Sequence, residues 1–171
     1  TPLISALKFL EHEKLVEARP RRGFFVRLFS KKEMIGIFEI REVLEGLAAR
    51  RAAQCISDKE CKTLKQIFLK FKNKKNITNL AAYSKADRKF HTMITTIASR
   101  EFLTTMLQTF NIISLAYQNV PKEGLIRNPK DTIKDHDAII EAICNRKPEQ
   151  AENLMKEHFN KAIDILNQEI D

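Results

Sequence analysis

The chain has no tryptophan, only 4 glycines and 5 prolines, 2 tyrosines and 3 cysteines in 171 residues. With so few glycines and prolines there are few points at which a helix must break, so long helices are expected. Without tryptophan the core falls to Leu, Ile and the 11 phenylalanines. Cys55, Cys61 and Cys144 are odd in number and show no paired metal spacing. They point to a reduced, cytoplasmic protein rather than a disulfide scaffold. No apolar run is long enough to span a bilayer and no signal-peptide pattern opens the chain, so no membrane partner is expected. Acidic residues are the minority charge, 22 against 30 Lys and Arg, giving a net charge of +8. That balance suits an anionic partner such as nucleic acid. It also fits a Lys-, Ile- and Asn-rich composition with no such partner, so charge alone decides little.

What is present fits a globular protein: 43% of residues are apolar and 30% charged, enough for one domain with or without a small appendage. The first segment, "TPLISALKFLEHEKLVEARPRRGFFVRLF", differs in kind from the rest. Leu3, Ala6, Leu7 and Leu10 recur at helical spacing after Pro2, which suits a first helical turn. "LVEAR" and "FFVRL" then read as two short strands joined by a "PRRG" turn. A helix followed by a basic hairpin is the second half of a winged helix-turn-helix, whose helix enters the major groove. Arg19, Arg21 and Arg22 supply phosphate-seeking charge at the wing tip and Gly23 a bend. A helix and hairpin with a solvated basic turn is the plainer alternative. The chain opens at Thr1 already inside a helical pattern, so a preceding portion is expected to be missing.

From Ser30 the pattern is all-helical, dividing the chain into 1–29 and 30–171. "SKKE" and "SDKE" (starting at Ser30 and Ser57) read as capping boxes at two helix starts. Ile37, Ile40, Leu44 and Leu47 are expected to form the buried stripe of the first helix. Leu64, Ile67, Phe68 and Phe71 are expected to do so for the second, which runs into the charged "KNKKN". Further helices are expected over about 79–98, 101–118 and 130–145, with a loop at "NVPKEGLIRNP" and a last helix from Pro148. The fold class is therefore mainly α: a bundle of six helices, seven at most, after a helix and hairpin.

Three histidines lie on inward faces of this bundle. His136 precedes Ile139, Ile140 and Ile143 at helical spacing; His158 lies among Leu154, Met155, Ala162 and Ile165. His91 shares a face with Ile94 and Ala98, and with Asp87 one turn earlier. An inward Asp needs a cation, whether Arg, Lys or a metal. Three imidazoles and a carboxylate match the ligands of Zn²⁺, Ni²⁺ or another divalent transition ion. The competing reading makes each histidine a hydrogen-bonded core residue.

These residues resemble the GntR superfamily of bacterial transcription regulators, in the FadR-type branch with an FCD ligand-binding domain. "TPLISALKFLEHEKLVEARPRRGFFV" is similar to that family's recognition helix and wing, and "FEIREVLEGLAARRAA" to the opening FCD helix. "DRKFHTMITTIASREFL" is similar to its Asp-x-x-Phe-His segment, and "DHDAIIEAICNRKPEQAENLMKEHF" to its closing helices with a His on each. The resemblance implies a dimeric repressor or activator that binds double-stranded operator DNA and senses a small carboxylate, an organic or sugar acid. It implies Asp87, His91, His136 and His158 as ligands of a metal (Zn²⁺, Ni²⁺ or Mn²⁺) that is structural or effector-binding. Arg41 matches an arginine common in the first helix. It is expected either to grip the effector carboxylate or to pair with Glu45 or another acid. Thr1, Arg22 and Gly23 match DNA-touching positions, and Arg21 joins them at the wing tip. Ile4 and Ser5 stand where the family's "TPVREAL" has Arg and Glu, which puts the usual operator in doubt. Lys14 stands where a glycine often turns the chain, and Asp135 where Glu commonly precedes the histidine.

Two rival classes are weighed. His91, the "HD" of His136–Asp137 and Asp164 superficially fit a helical metal-dependent phosphohydrolase of the HD type. That reading leaves Asp87 and His158 idle, and Asp137 turns about 100° from its neighbour on a regular helix. The other rival is a helical interaction domain with no ligand.

Overall fold

The computed structural model describes residues 1–72, 77–99, 102–118 and 125–168, and the chain divides into two compact units, Thr1–Ser30 and Lys31–Asp171. The expected loop from Asn119 and the "KNKKN" run fall largely outside the described residues.

In the first unit, α1 (Pro2–His12) leads into β1 (Val16–Arg19) and β2 (Gly23–Val26), an antiparallel pair with Val16 opposite Val26 and Arg19 opposite Gly23. The helix ends where Lys14 turns into the left-handed region at φ 60°. The Lys14 N–H then donates to the Glu11 carbonyl and the Leu15 N–H to the Leu10 carbonyl, both at 3.0 Å. These bonds satisfy the last carbonyls of the helix and make the exit a Schellman turn. Arg21 (φ 61°) and Gly23 (φ 86°) bend the hairpin tip. Leu7 and Leu10 are half-buried, while Leu3 is exposed.

The second unit is helical: α2 (Lys31–Cys55), α3 (Asp58–Gln66), the single turn α4 (Leu69–Lys72), α5 (Leu80–Ser99), α6 (Phe102–Gln118), α7 (Pro129–Cys144) and α8 (Pro148–Gln168). The Ser57 capping box forms in full: the Glu60 N–H donates to the Ser57 hydroxyl, and Glu60 accepts from the Ser57 N–H at 2.8 Å. The helix expected through Phe71 breaks at Ile67 and Phe68, yet Leu64, Ile67, Phe68 and Phe71 are all buried as the spacing implies.

The expected stripe of α2 is corrected. Ile40 is exposed and Leu44 and Leu47 only half-buried; the inward face carries Met34, Ile37, Phe38, Arg41, Glu45, Ala48, Ala49, Ala52 and Ala53. Small side chains let α8 lie close along α2, its principal neighbour; a Cβ on Gly46 would stand 3.0 Å from the Lys156 side chain. The core is filled by Phe68, Phe90, Ile94, Leu107, Ile139, Ile143, Met155 and Leu166. No helix among the described residues is long and apolar enough to cross a membrane.

Candidate metal centre and cleft

Helix α5 carries Asp87 and His91 one turn apart, α7 carries His136 and α8 carries His158. Each helix is amphipathic, and burying its apolar face turns the histidine inward. One ligand-capable atom from each of His91, His136 and His158 lies within 4.8 Å of the others, and all three residues are buried. Ring centroids are 4.7 Å apart for His136 and His158 and 5.5 Å for His91 and His158. Asp87, partly exposed, brings Oδ1 to 3.5 Å from His136 Nε2. The three histidines thus come together from three helices, with Asp87 against His136.

The imidazoles differ in their surroundings. His136 is sandwiched between Phe68, stacked at 4.7 Å, and Phe90 at 4.4 Å, and neither ring nitrogen has a hydrogen-bond partner. Burial, with the nearby His158, His91 and Arg127, pushes its pKa well below the ordinary imidazole value. Burial also lowers His158, opposed by Asp135. His91 presents Nδ1 to a carboxylate oxygen of Glu45 from α2.

Arg41 donates through Nε to the other Glu45 oxygen at 2.8 Å and through an Nη to the Ser114 hydroxyl at 3.1 Å. Its guanidinium lies 4.7 Å from the Phe159 ring. Burial would raise the Glu45 pKa, but Arg41 and His91 outweigh it and hold the group at about 2. On the far side Asp135 accepts from Arg127 at 2.7 Å and Lys161 at 2.9 Å. Burial raises its pKa, but the neighbouring His158, Lys161 and Arg127 prevail and keep it below the usual carboxylate range.

A small cleft open to solvent, with a cavity volume of about 60 Å³, leads to these groups. Phe38, Phe159, Leu125 and Ile126 give it apolar wall, and Arg41, Arg127, Asp87, His91 and His158 its polar surface. Tyr83 and Thr132 share a 2.5 Å hydroxyl contact at its edge; burial and Asp87 push the phenol pKa up.

Sequence reasoning missed Glu45 as a partner of His91, and missed Arg127, Tyr83 and Thr132 altogether. Tyr83 is one turn before Asp87 on the same face, a signal that was available; Arg127 sits in a loop, where periodicity says nothing. The hydrolase constellation does not assemble: Asp137 is turned away and pairs with Lys72 at 3.0 Å, and Asp164 is exposed. In the first unit Thr1, Arg21, Arg22 and Gly23 are all exposed.

The chain matches the FCD domain over residues 36–161 and belongs to that family; it is a transcription regulator of the GntR/FCD type. It is 23% identical over 98% of its length to the HTH-type transcriptional repressor RspR of Escherichia coli, covering 73% of that protein. It is 24% identical over 92% of its length to a probable D-xylose utilization operon transcriptional repressor of Paenarthrobacter nicotinovorans, covering 69% of it. In fold it is similar to E. coli McbR/YncC, with a TM-score of 0.79 at 18% identity, 99% of this chain matching 81% of that one.

Proposed function

We propose that this regulator binds operator DNA as a homodimer and senses a small carboxylate, an organic or sugar acid, through a divalent transition metal in its helical unit. Asp87, His91, His136 and His158 would hold the ion, and a set of three imidazoles and one carboxylate favours Zn²⁺, with Ni²⁺ or Mn²⁺ as alternatives. A bound ion would supply Lewis acidity and further coordination positions for effector oxygens. Arg41, on the cleft wall, is the candidate side chain for an effector carboxylate.

His136 carries this reading. A fully buried imidazole with no hydrogen-bond partner at either nitrogen among the described residues forfeits about 1–3 kcal/mol of hydrogen bonding. The depressed pKa leaves it neutral, with a lone pair available. Two further buried imidazoles and a carboxylate beside it supply a donor set that a cation satisfies and that ordinary core packing does not require. The DNA reading rests on the first unit's helix and hairpin, with Thr1, Arg21, Arg22 and Gly23 exposed for contact, and a palindromic operator read by two wings implies the dimer.

The test uses metal-free, tag-free protein titrated with ZnCl₂ and then with a panel of organic and sugar acids, read as unfolding temperature. An acid is expected to stabilise the zinc-loaded parent and to leave His136→Ala/His158→Ala unchanged. A response of equal size in the metal-free parent would refute the metal route.

A further inference from the structure

We infer that Glu45 is a positioning residue for the metal centre: it holds the proton of His91 on Nδ1 and so leaves Nε2 as the ligand atom, and Arg41 acts on the site through Glu45. The inference rests on the metal reading above and assigns roles to two buried residues of α2 that supply no ligand in it.

Glu45 is almost wholly buried, 1% exposed, and its two oxygens are divided between two partners. Oε1 receives Nε and a terminal nitrogen of Arg41, both at 2.8 Å, and Oε2 faces His91 Nδ1. A carboxylate at that depth persists only if its lone pairs are met, and here an arginine fork and an imidazole meet them. An ionised carboxylate is an acceptor only. The hydrogen in the contact with His91 must therefore sit on Nδ1. In the neutral imidazole, the form that can ligate a metal, that single N–H leaves Nε2 with its lone pair. Histidines that ligate metals commonly have their second nitrogen held by a carboxylate in this way, which fixes tautomer and ring orientation.

The other two histidines lack the device. His136 has no partner at either nitrogen. His158 Nδ1 has an Arg127 terminal nitrogen at 3.4 Å and an Asp135 oxygen at 3.7 Å, a donor and an acceptor in competition. Among the described residues, then, His91 is the imidazole whose tautomer its surroundings settle before any ion arrives. Arg41 keeps Glu45 in place and ionised, and is tied in turn to Ser114 on α6.

Long-range ¹H–¹⁵N spectra of the metal-free, tag-free parent read the tautomer directly, and competition with a chromophoric chelator reads Zn²⁺ affinity in the parent and in Glu45→Gln. The expected results are an Nδ1–H tautomer for His91 in the parent, and a zinc dissociation constant on the order of 10–100-fold weaker in Glu45→Gln. A purely structural ion pair would lower the unfolding midpoint of Glu45→Gln and leave zinc affinity unmoved, which overturns the inference. An Nε2–H tautomer in the parent overturns it as well, whether or not the variant folds. A parent that has the Nδ1–H tautomer but binds no Zn²⁺ overturns the metal reading and, with it, any role of Glu45 toward an ion.

Discussion

Replacing Glu45 by Leu in metal-free protein isolates the cost of the buried ion pair. Arg41 is 6% exposed, and without Glu45 its guanidinium keeps, among the described residues, the Ser114 hydroxyl and the Phe38 and Phe159 rings. Breaking a buried pair from one side costs about 3–5 kcal/mol, because an uncompensated charge remains. The His91 Nδ1–H loses its acceptor too, a further loss of about 1–3 kcal/mol. A domain's whole stability is about 5–15 kcal/mol, so the variant sits near the edge of folding. In Arg41→Met/Glu45→Leu both charges are gone and mainly the His91 loss remains, so the double variant is expected to be more stable than Glu45→Leu alone. Urea unfolding with an unchanged slope measures the cycle. If Glu45→Leu costs less than about 1 kcal/mol, or if the separate losses of Glu45→Leu and Arg41→Met simply add in the double variant, the pair is not the coupled buried unit described here.

Three more outcomes are expected. Stability of the metal-free protein should fall as pH drops below the ordinary histidine value, because the depressed pKa values of His136 and His158 make the unfolded state take up more protons. It should fall again between about 4.5 and 2, where Glu45 is protonated in the unfolded chain but not in the native one. That second drop is worth about 3 kcal/mol, and acid titration of unfolding that stays flat over both ranges would contradict it. Arg146 holds φ 55° at the exit of α7, with the Lys147 N–H on the Ala142 carbonyl at 3.0 Å. Arg146→Gly should therefore raise stability by about 0.5–1 kcal/mol in thermal or urea unfolding. In the DNA-bound regulator, Arg21→Ala/Arg22→Ala should weaken binding across sequences and shrink the salt slope of log K by about 1–2. An unchanged slope would remove the hairpin tip from the phosphate contacts.

The histidine cluster was legible because each histidine sits in a long helix with clear periodicity, so inward direction follows from spacing. Convergence was not legible. His91 and Glu45 meet across two helices, and nothing local to "FEIREVLEG" marks its Glu as a partner of a distant imidazole. The α2 stripe failed for a related reason. Large apolar side chains at Ile40, Leu44 and Leu47 outweigh alanines in a hydrophobicity pattern, yet close packing against α8 selects Ala48, Ala49, Ala52 and Ala53 for the inward face. The same face accepts Arg41 and Glu45 because they neutralise each other. Helix ends were legible where backbone chemistry is local: "SDKE" foretold the N-terminal cap of α3, and Lys14, marked by the resemblance as standing where a glycine often turns the chain, is the left-handed residue at the exit of α1. Arg127 was out of reach, since a loop residue has no period from which to read its direction.

The most direct test of the central claim is the metal content of tag-free protein by elemental analysis, beside an Asp87→Ala/His158→Ala variant. Near-stoichiometric Zn, Ni or Mn in the parent and none in the variant is the expected result. A parent without metal, even after divalent ions are added back, would contradict the account and leave the three histidines as buried polar groups with no ligand.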